Sequence, residues 1–422
     1  MDAILVRGGA PLRGAIPVSG SKNAALPILT ASILFDGKLT IDNVPRLRDI
    51  DTLLKVLAVL GVGAKRDGTS ITLDGSSLTS HEAPYDLVRK MRASIYVLGP
   101  LVARLGRARV SLPGGCAWGP RPVDLHIEAM RDLGAKVEVE HGYVVAEAPE
   151  GGLRGAEIDF RVSSVGATCN TLMACATAKG RTVLENAAAE PEVVSLADFL
   201  NECGAHIEGQ GTRIVEVEGV ESLRPARFAV IPDRIEAGTF LAAAAITGGD
   251  LEVTNCLPEH LESVIEALRG AGAMLEIGGS DIRCIGSLPP KGIHVTTAPY
   301  PGFPTDMQAQ IMALATIGDG VSVITDTIYR DRFTHVPELG RLGADIRLDG
   351  NVAVVHPVEK LSGAHVMATD LRASAALILA GLVAEGETRV SRVYHIDRGY
   401  ERIEEKLRAV GANIERVEEE GP

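Results

Sequence analysis

The sequence predicts a two-domain α/β (α+β) protein made of six βαβαββ units, three per domain. Three observations lead there. A Gly-Ala pair that ends a helical stretch and opens an alternating one recurs six times. Ala-rich apolar segments recur between those pairs. The chain has 422 residues, more than one hydrophobic core usually serves.

The pairs are Gly63-Ala64, Gly134-Ala135, Gly204-Ala205, Gly272-Ala273, Gly343-Ala344 and Gly411-Ala412, at intervals of 71, 70, 68, 71 and 68 residues. Before each pair the apolar spacing is helical, as in VDLHIEAMRDLG, HLESVIEALRGAG and GYERIEEKLRAVG. After each pair apolar and polar residues alternate, which reads as a strand. The Gly suits a helix C-terminal cap, where a left-handed residue is easiest without a Cβ. A solenoid is the other reading of a repeat, but solenoid periods lie nearer about 20 to 50 residues.

The Ala-rich segments begin near Lys22, Arg92, Gly166, Arg234, Asp306 and Arg372. Apolar residues nearly surround them, so buried helices are expected, with the amphipathic helices packed outside or between sheets. β-rich stretches such as RTVLENA, DLEVTNC and GVSVITDT follow. The helix entrances carry Lys22, Arg92, Ser163, Ser164, Arg234, Asp306 and Arg372. Helices running parallel would bring their positive dipole ends to one face, and two such faces opposed across a cleft would gather anions. The alternative for each residue is simple helix capping.

Composition narrows the partners. Hydrophobic residues make up 46% and aromatics only 4%, which suits a core of closely packed small aliphatic side chains. The formal net charge of -13 argues against a nucleic-acid or anionic-membrane surface. A few cations in one cleft still suffice for a small anionic ligand. The six cysteines, at 116, 169, 175, 203, 256 and 284, form no C-x-x-C pair, so a reducing, cytoplasmic setting is expected. The N-terminus shows no signal-peptide pattern. The most apolar run, Ala373 to Ala384, falls short of the about 20 residues that span a bilayer. No two His stand at the i, i+4 spacing of a zinc-binding H-E-x-x-H helix, so metal catalysis is not expected, and no other cofactor is expected either.

The segment SLPGGCAWGPRPVDLH, Ser111 to His126, is rich in turn formers and predicts a flexible loop. Cys116 on it is either a reactive thiol or an incidental surface one, and Arg121 nearby would lower its pKa. The other five cysteines stand in apolar contexts and read as core residues. Lys22 and Arg398 stand at Gly-containing helix entrances, which are ordinarily solvent-exposed places for a charge. Asp306, between a Pro-rich turn and a helix, reads first as an N-terminal cap and second as a general base. His126, His335 and His395 read as polar-network residues.

The whole chain resembles the UDP-N-acetylglucosamine 1-carboxyvinyltransferase family of enolpyruvyl transferases. The stretches that carry the likeness include PVSGSKNAALPIL, PGGCAWGPRPVDLH, ENAAAEPEV, PDRIEAGTFL, FPTDMQAQ, RFTHVPEL, VMATDLRASAALILAGL and YHIDRGYERIEEKL, and they fall in all six units. The resemblance implies a pair of inside-out α/β barrels. Residues 1–21 and 230–422 would form one domain, and 22–229 a second domain carrying a mobile Cys116 loop. It implies transfer of the enolpyruvyl group of phosphoenolpyruvate to the 3-hydroxyl of UDP-N-acetylglucosamine, in peptidoglycan precursor synthesis.

The resemblance also implies roles. Lys22, Asn23, Arg121, Arg332, Arg372 and Arg398 would hold phosphoenolpyruvate. Asn23, Arg92, Arg121, Pro122, Val123, Asp124, Leu125, Asp306 and Ile328 would contact the nucleotide sugar. So would the stretch Arg161, Ser163, Ser164, Val165 and Gly166, where the family often has a basic residue close before Ser-Val-Gly-Ala-Thr. Cys116 would donate a proton to the phosphoenolpyruvate methylene, form an adduct with it, and be alkylated by fosfomycin. Asp306 would take the hydroxyl proton, and Lys22 and Arg398 would complete the catalytic set. One rival is a 3-phosphoshikimate 1-carboxyvinyltransferase, which lacks the loop cysteine. Another is a UDP-sugar-binding paralogue without catalysis.

Overall fold

The computed structural model describes residues 2–89, 91–112 and 123–418, and only the backbone of Arg92. The chain forms two compact units, Met1–Ser19 with Pro232–Pro422, and Gly20–Ile231. Each has its own apolar core and, among the described residues, three four-stranded sheets.

Twelve α-helices of six residues or more occur among the described residues. In chain order they are α1 (Lys22–Thr30), α2 (Arg48–Leu60), α3 (Leu98–Leu105), α4 (Asp124–Asp132), α5 (Val165–Cys175) and α6 (Pro191–Glu202). Then come α7 (Arg234–Thr247), α8 (Glu262–Gly270), α9 (Gln308–Ala315), α10 (Val336–Arg341), α11 (Leu371–Gly381) and α12 (Ile403–Ala409). The odd-numbered helices are the Ala-rich ones. In α7 every residue from Ile235 to Thr247 is buried. Helices α7, α9 and α11 pack on one another, as small side chains allow.

The even-numbered helices are one-faced. In α2 the buried apolar residues Ile50, Leu53, Val56, Leu57 and Leu60 follow helical spacing. Trimming one of them, such as Leu57→Ala, would cost about 2 to 5 kcal/mol. These helices end as the pairs suggested, with Gly134, Gly204, Gly272, Gly343 and Gly411 all at positive φ. The first repeat departs. There Gly61, φ 101°, makes the left-handed cap of α2, while Gly63 already opens the strand Gly63–Asp67. The sequence LGVGAK holds two glycines, and the cap falls on the one that directly follows the last apolar helical residue, Leu60.

Two of the Ala-rich segments do not begin as α-helix. Arg92–Val97 is a 3-10 turn leading into α3, and Thr305–Met307 is another leading into α9. Pro100 in the first turn of α3 has no N–H to bond back to the preceding turn, so the α-helical ladder starts late.

Each sheet joins one parallel pair to two antiparallel strands. The repeat is exchanged at two places. Strand Arg13–Pro17, which precedes α1 in sequence, lies parallel to Asp250–Thr254. Strand Arg227–Ala229, which precedes α7, lies parallel to Lys38–Asp42. The N-terminal strand Asp2–Arg7 is inserted between Glu387–Ser391 and Asn413–Glu418, both antiparallel to it, and so completes the last repeat.

Candidate functional site

In the unit that contains both termini, three predicted residues meet. Asp306 lies in the 3-10 turn before α9. Its Oδ1 accepts from Arg332 Nη1 at 2.7 Å, and its Oδ2 from Arg372 Nη2 at 2.8 Å and Nε at 3.2 Å. Arg372 is 2% exposed and Asp306 is 27% exposed at its side chain, so the carboxylate is the more accessible member. Burial pushes the Asp306 carboxyl up, but the charges of Arg372 and Arg332 outweigh it and hold it well below the usual carboxylate range.

Asp306 is therefore not the helix cap its position first suggests, since neither the turn nor α9 has a side-chain cap bond. In four of the six buried helices, capping falls to the residue just ahead of the helix, while α3 and α9 have no side-chain cap. Ser21 caps α1, Ser164 caps α5, Asp233 caps α7 and Asp370 caps α11. That leaves the first-turn cations to other partners.

A second layer supports the cluster. Thr305 Oγ1 accepts from Arg332 at 3.0 Å and donates to Asp326 Oδ2 at 2.7 Å. The other Asp326 oxygen accepts from Thr297 and from the backbone N–H groups of Ile328 and Tyr329. The buried Asp326 thus ties the turn bearing Ile328 to the one bearing Asp306. Gln310 Nε2 lies 3.0 Å from the Asp306 carbonyl and 3.2 Å from the Tyr400 hydroxyl, and the Tyr400 ring packs beneath Arg372. None of these supporting residues stood out in the sequence, because a carboxylate that binds backbone amides in a turn carries no motif. Arg398 ends the 3-10 turn Val393–Arg398 and is half-buried.

In the unit Gly20–Ile231, Lys22 opens α1 and is buried, with its Nζ 3.2 Å from Asp49 Oδ2. The entrance reading had it exposed, and Asp49 at the start of α2 is what makes burial tolerable. Asn23 beside it is half-buried. Val123, Asp124 and Leu125 begin α4. Arg161 is 51% exposed and pairs with Asp124 and, at 3.0 Å, with Glu128 on α4. Ser163 donates to the Ala187 carbonyl at 3.4 Å, and Val165 is the first residue of α5. Gly166 follows it, and a Cβ there would lie 3.2 Å from His126 Nε2, so the ring backs this stretch closely. Cys116, Arg121 and Pro122 lie outside the described residues, as does the side chain of Arg92.

Among the described residues, one ring nitrogen of each of the three histidines lacks the polar-network partner expected of it. His126 Nδ1, His335 Nε2 and His395 Nδ1 are buried with no hydrogen-bond partner among the described residues. Burial pushes His126 and His335 down to about 4 and lowers His395, so all three are neutral at pH 7. The five described cysteines are buried core residues, as their contexts suggested. Burial raises each thiol, to about 12 for Cys175, Cys203 and Cys284 and about 11 for Cys256, which makes them poor nucleophiles. Among the described residues no group of three His, Cys, Asp or Glu is arranged to hold a metal, and no helix is long and apolar enough to cross a membrane.

Comparison with known proteins adds the family. Residues 6–407 match the model of EPSP synthase (3-phosphoshikimate 1-carboxyvinyltransferase). The UDP-N-acetylglucosamine 1-carboxyvinyltransferase of Nitratidesulfovibrio vulgaris (strain DSM 19637 / Miyazaki F) is 57% identical over 420 residues, 99% of this chain and 100% of that protein. The protein of the same name from Myxococcus xanthus (strain DK1622) is 54% identical over 419 residues, 99% of each chain. Among solved structures, the enolpyruvyl transferase NikO from Streptomyces tendae superposes with a TM-score of 0.86 at 27% identity, covering 99% of both chains. An EPSP synthase from Acinetobacter baumannii gives 0.75 at 19% identity over 99% of this chain and 100% of its own, a likeness of fold alone.

Proposed function

This chain belongs to the EPSP synthase family of enolpyruvyl transferases, alongside its UDP-N-acetylglucosamine 1-carboxyvinyltransferase relatives, and on that premise we propose how its residues share the reaction. The enzyme transfers the enolpyruvyl group of phosphoenolpyruvate to the 3-hydroxyl of UDP-N-acetylglucosamine and releases phosphate, in cytoplasmic peptidoglycan precursor synthesis. The observation that carries the reading is the Asp306 carboxylate held between Arg332 and Arg372. It pairs a group that accepts protons with two that bind anions.

The chemistry is addition followed by elimination. The Cys116 thiol gives its proton to the phosphoenolpyruvate methylene, and C2 becomes electrophilic. The sugar hydroxyl oxygen bonds to C2 while its proton passes to Asp306. The product of this step is a tetrahedral ketal. Loss of phosphate and of one methyl proton restores the double bond as an enol ether. Lys22, Asn23, Arg121, Arg332, Arg372 and Arg398 hold the phosphate and carboxylate, and each such contact is worth roughly 2.7 to 4 kcal/mol in the transition state. Residues 121–125, Arg161 and residues 163–166, with Asn23, Arg92, Asp306 and Ile328, hold the nucleotide sugar.

The depressed pKa of Asp306 has a consequence for its role as base. A carboxylate paired to two guanidiniums is a weak proton acceptor. Substrate anions compete for the same guanidiniums, and as Arg332 and Arg372 turn toward them Asp306 regains basicity. Base strength would then appear only when phosphoenolpyruvate is bound.

The test is phosphate release with phosphoenolpyruvate and either acceptor. UDP-N-acetylglucosamine should support turnover, and activity with shikimate 3-phosphate alone would refute the assignment. Binding of the nucleotide sugar without any phosphate release would favour a non-catalytic protein. Fosfomycin should add to Cys116 alone, given the raised pKa values of the five buried thiols. An adduct mapped to Cys169 would break that assignment.

A further inference from the structure

Arg398 rides on a segment that is left-handed at both ends. Residues 392–402 leave one strand, make the 3-10 turn Val393–Arg398, and enter α12. Both ends of the segment are left-handed at residues with a Cβ, Arg392 at φ 59° and Arg402 at φ 47°. Such a conformation is disfavoured for either side chain, so it persists only where surrounding contacts impose it. Ile396 and Tyr400 anchor the apolar side of the segment, each 1% exposed.

The polar side is gripped from the last strand. Arg416 Nη2 lies 2.6 Å from Asp397 Oδ1 and its Nη1 3.2 Å from Oδ2, a two-point fork on the residue next to Arg398. The same guanidinium makes a second fork on Glu404 of α12, Nε to Oε1 at 2.8 Å and Nη2 to Oε2 at 3.3 Å. Nη1 also reaches Asp2 Oδ2 at 3.4 Å. All three nitrogens of Arg416 are engaged. A planar guanidinium with two forks fixes direction as well as distance, which an ammonium does not.

Another strand arginine, at a different position of its repeat, makes the contrast. Arg283 also sits on a strand and forks Asp250, with a contact to Glu276. Both of those acids belong to neighbouring strands of its own sheet, and the group is largely exposed. Arg416 instead leaves its sheet to hold the turn and the helix that flank Arg398.

We propose that Arg416, acting through Asp397, is a positioning residue that aims Arg398 at the anionic groups of phosphoenolpyruvate. The inference rests on the role given to Arg398 under the proposed function. Arg416 touches no substrate. It holds the backbone turn from which Arg398 projects.

The test is initial-rate phosphate release by wild type, Arg416→Gln, Arg416→Lys, Asp397→Asn and the Arg416→Gln/Asp397→Asn double variant, each substrate varied in turn. Arg416→Gln should raise KM for phosphoenolpyruvate about tenfold and leave KM for UDP-N-acetylglucosamine within about twofold. Arg416→Lys should rescue part of that rise, since it restores charge without the forks. Asp397→Asn should match Arg416→Gln, and the double variant should be no worse than either single one, as expected of two residues acting as one unit. Arg283→Gln, which cuts a fork elsewhere, should leave both KM values unchanged. Should Arg416→Gln prove insoluble, Arg416→Lys and Asp397→Asn still decide the matter. An unchanged KM for phosphoenolpyruvate beside a lowered melting temperature, an equal rise in both KM values, or multiplying effects in the double variant would each overturn the inference. A wild type that releases no phosphate would sink the functional reading, and this inference with it.

Discussion

Two charged clusters in the same unit are built with opposite stoichiometry. At Asp306 one carboxylate faces two guanidiniums, one on each oxygen. At Arg416 one guanidinium faces three carboxylates, from Asp2, Asp397 and Glu404. In the first, donors outnumber acceptors, and Arg372 Nη1 is buried without a hydrogen-bond partner among the described residues. In the second, acceptors outnumber donors and every guanidinium nitrogen is engaged. An arginine whose donors exceed its acceptors is suited to receive an incoming anion. One saturated by carboxylates is suited to hold neighbouring elements still. The proposed roles, binding for Arg332 and Arg372 and scaffolding for Arg416, follow this ratio of partners.

That comparison breaks most sharply at Asp306. Asp306→Asn removes the proposed proton acceptor and leaves two buried cations without their counter-charge. Turnover should fall roughly 10^3-fold or more, and the protein should lose about 3 to 5 kcal/mol of stability. Steady-state rates and denaturant unfolding check the two halves separately, and unchanged turnover would remove Asp306 from the chemistry. Arg372→Lys is the next largest. An ammonium cannot reproduce the Nε and Nη2 contacts, so kcat/KM should fall about 10^2-fold. A variant with wild-type kcat/KM would show that charge alone is enough.

A baseline comes from a buried titratable group with neither arrangement. His126 is held neutral by burial, at about 4 against about 6.5 in the unfolded chain. The unfolded state therefore binds more protons between those values. The stability is fully present above pH 6.5 and is lost as pH falls toward 4. Between pH 7 and pH 5 this residue should account for about 2 kcal/mol of lost stability. Unfolding of His126→Gln at both pH values should show that much less dependence, and an identical slope would refute the neutral assignment. The smallest effect is expected at Glu404→Gln, where Asp397 still forks Arg416. It should cost about 1 kcal/mol and leave both KM values alone, and a raised KM would mean that the saturated cluster is less redundant than its geometry suggests.

Much of this was legible in the chain. The periodic Gly-Ala pairs and Ala-rich segments mark twelve helices, because helix period and C-terminal glycine are local properties. The same logic misassigned the first repeat to Gly63, since two glycines compete there and only the end of the apolar face picks Gly61. The sequence reading placed Asp306, Arg332 and Arg372 in one site by resemblance, and the structure brings those three side chains together. It could not read their mutual contacts, nor Asp49 under Lys22, nor Asp326 behind Thr305. Those partners lie 27, 66 or 21 residues apart, in pairings no periodicity encodes.

By itself, then, the amino-acid order determined the repeat unit, its helix and strand types, the small-residue core and the cations at helix entrances. These follow from neighbouring residues and short-range spacing. Only tertiary structure decided which strand completes which sheet, as Arg13–Pro17 and Arg227–Ala229 each pair with a repeat other than their own. It also decided which arginines face one carboxylate and which face three. Both are matters of side chains and backbone edges distant in sequence competing for the same partners, and that competition is settled only when the chain closes on itself.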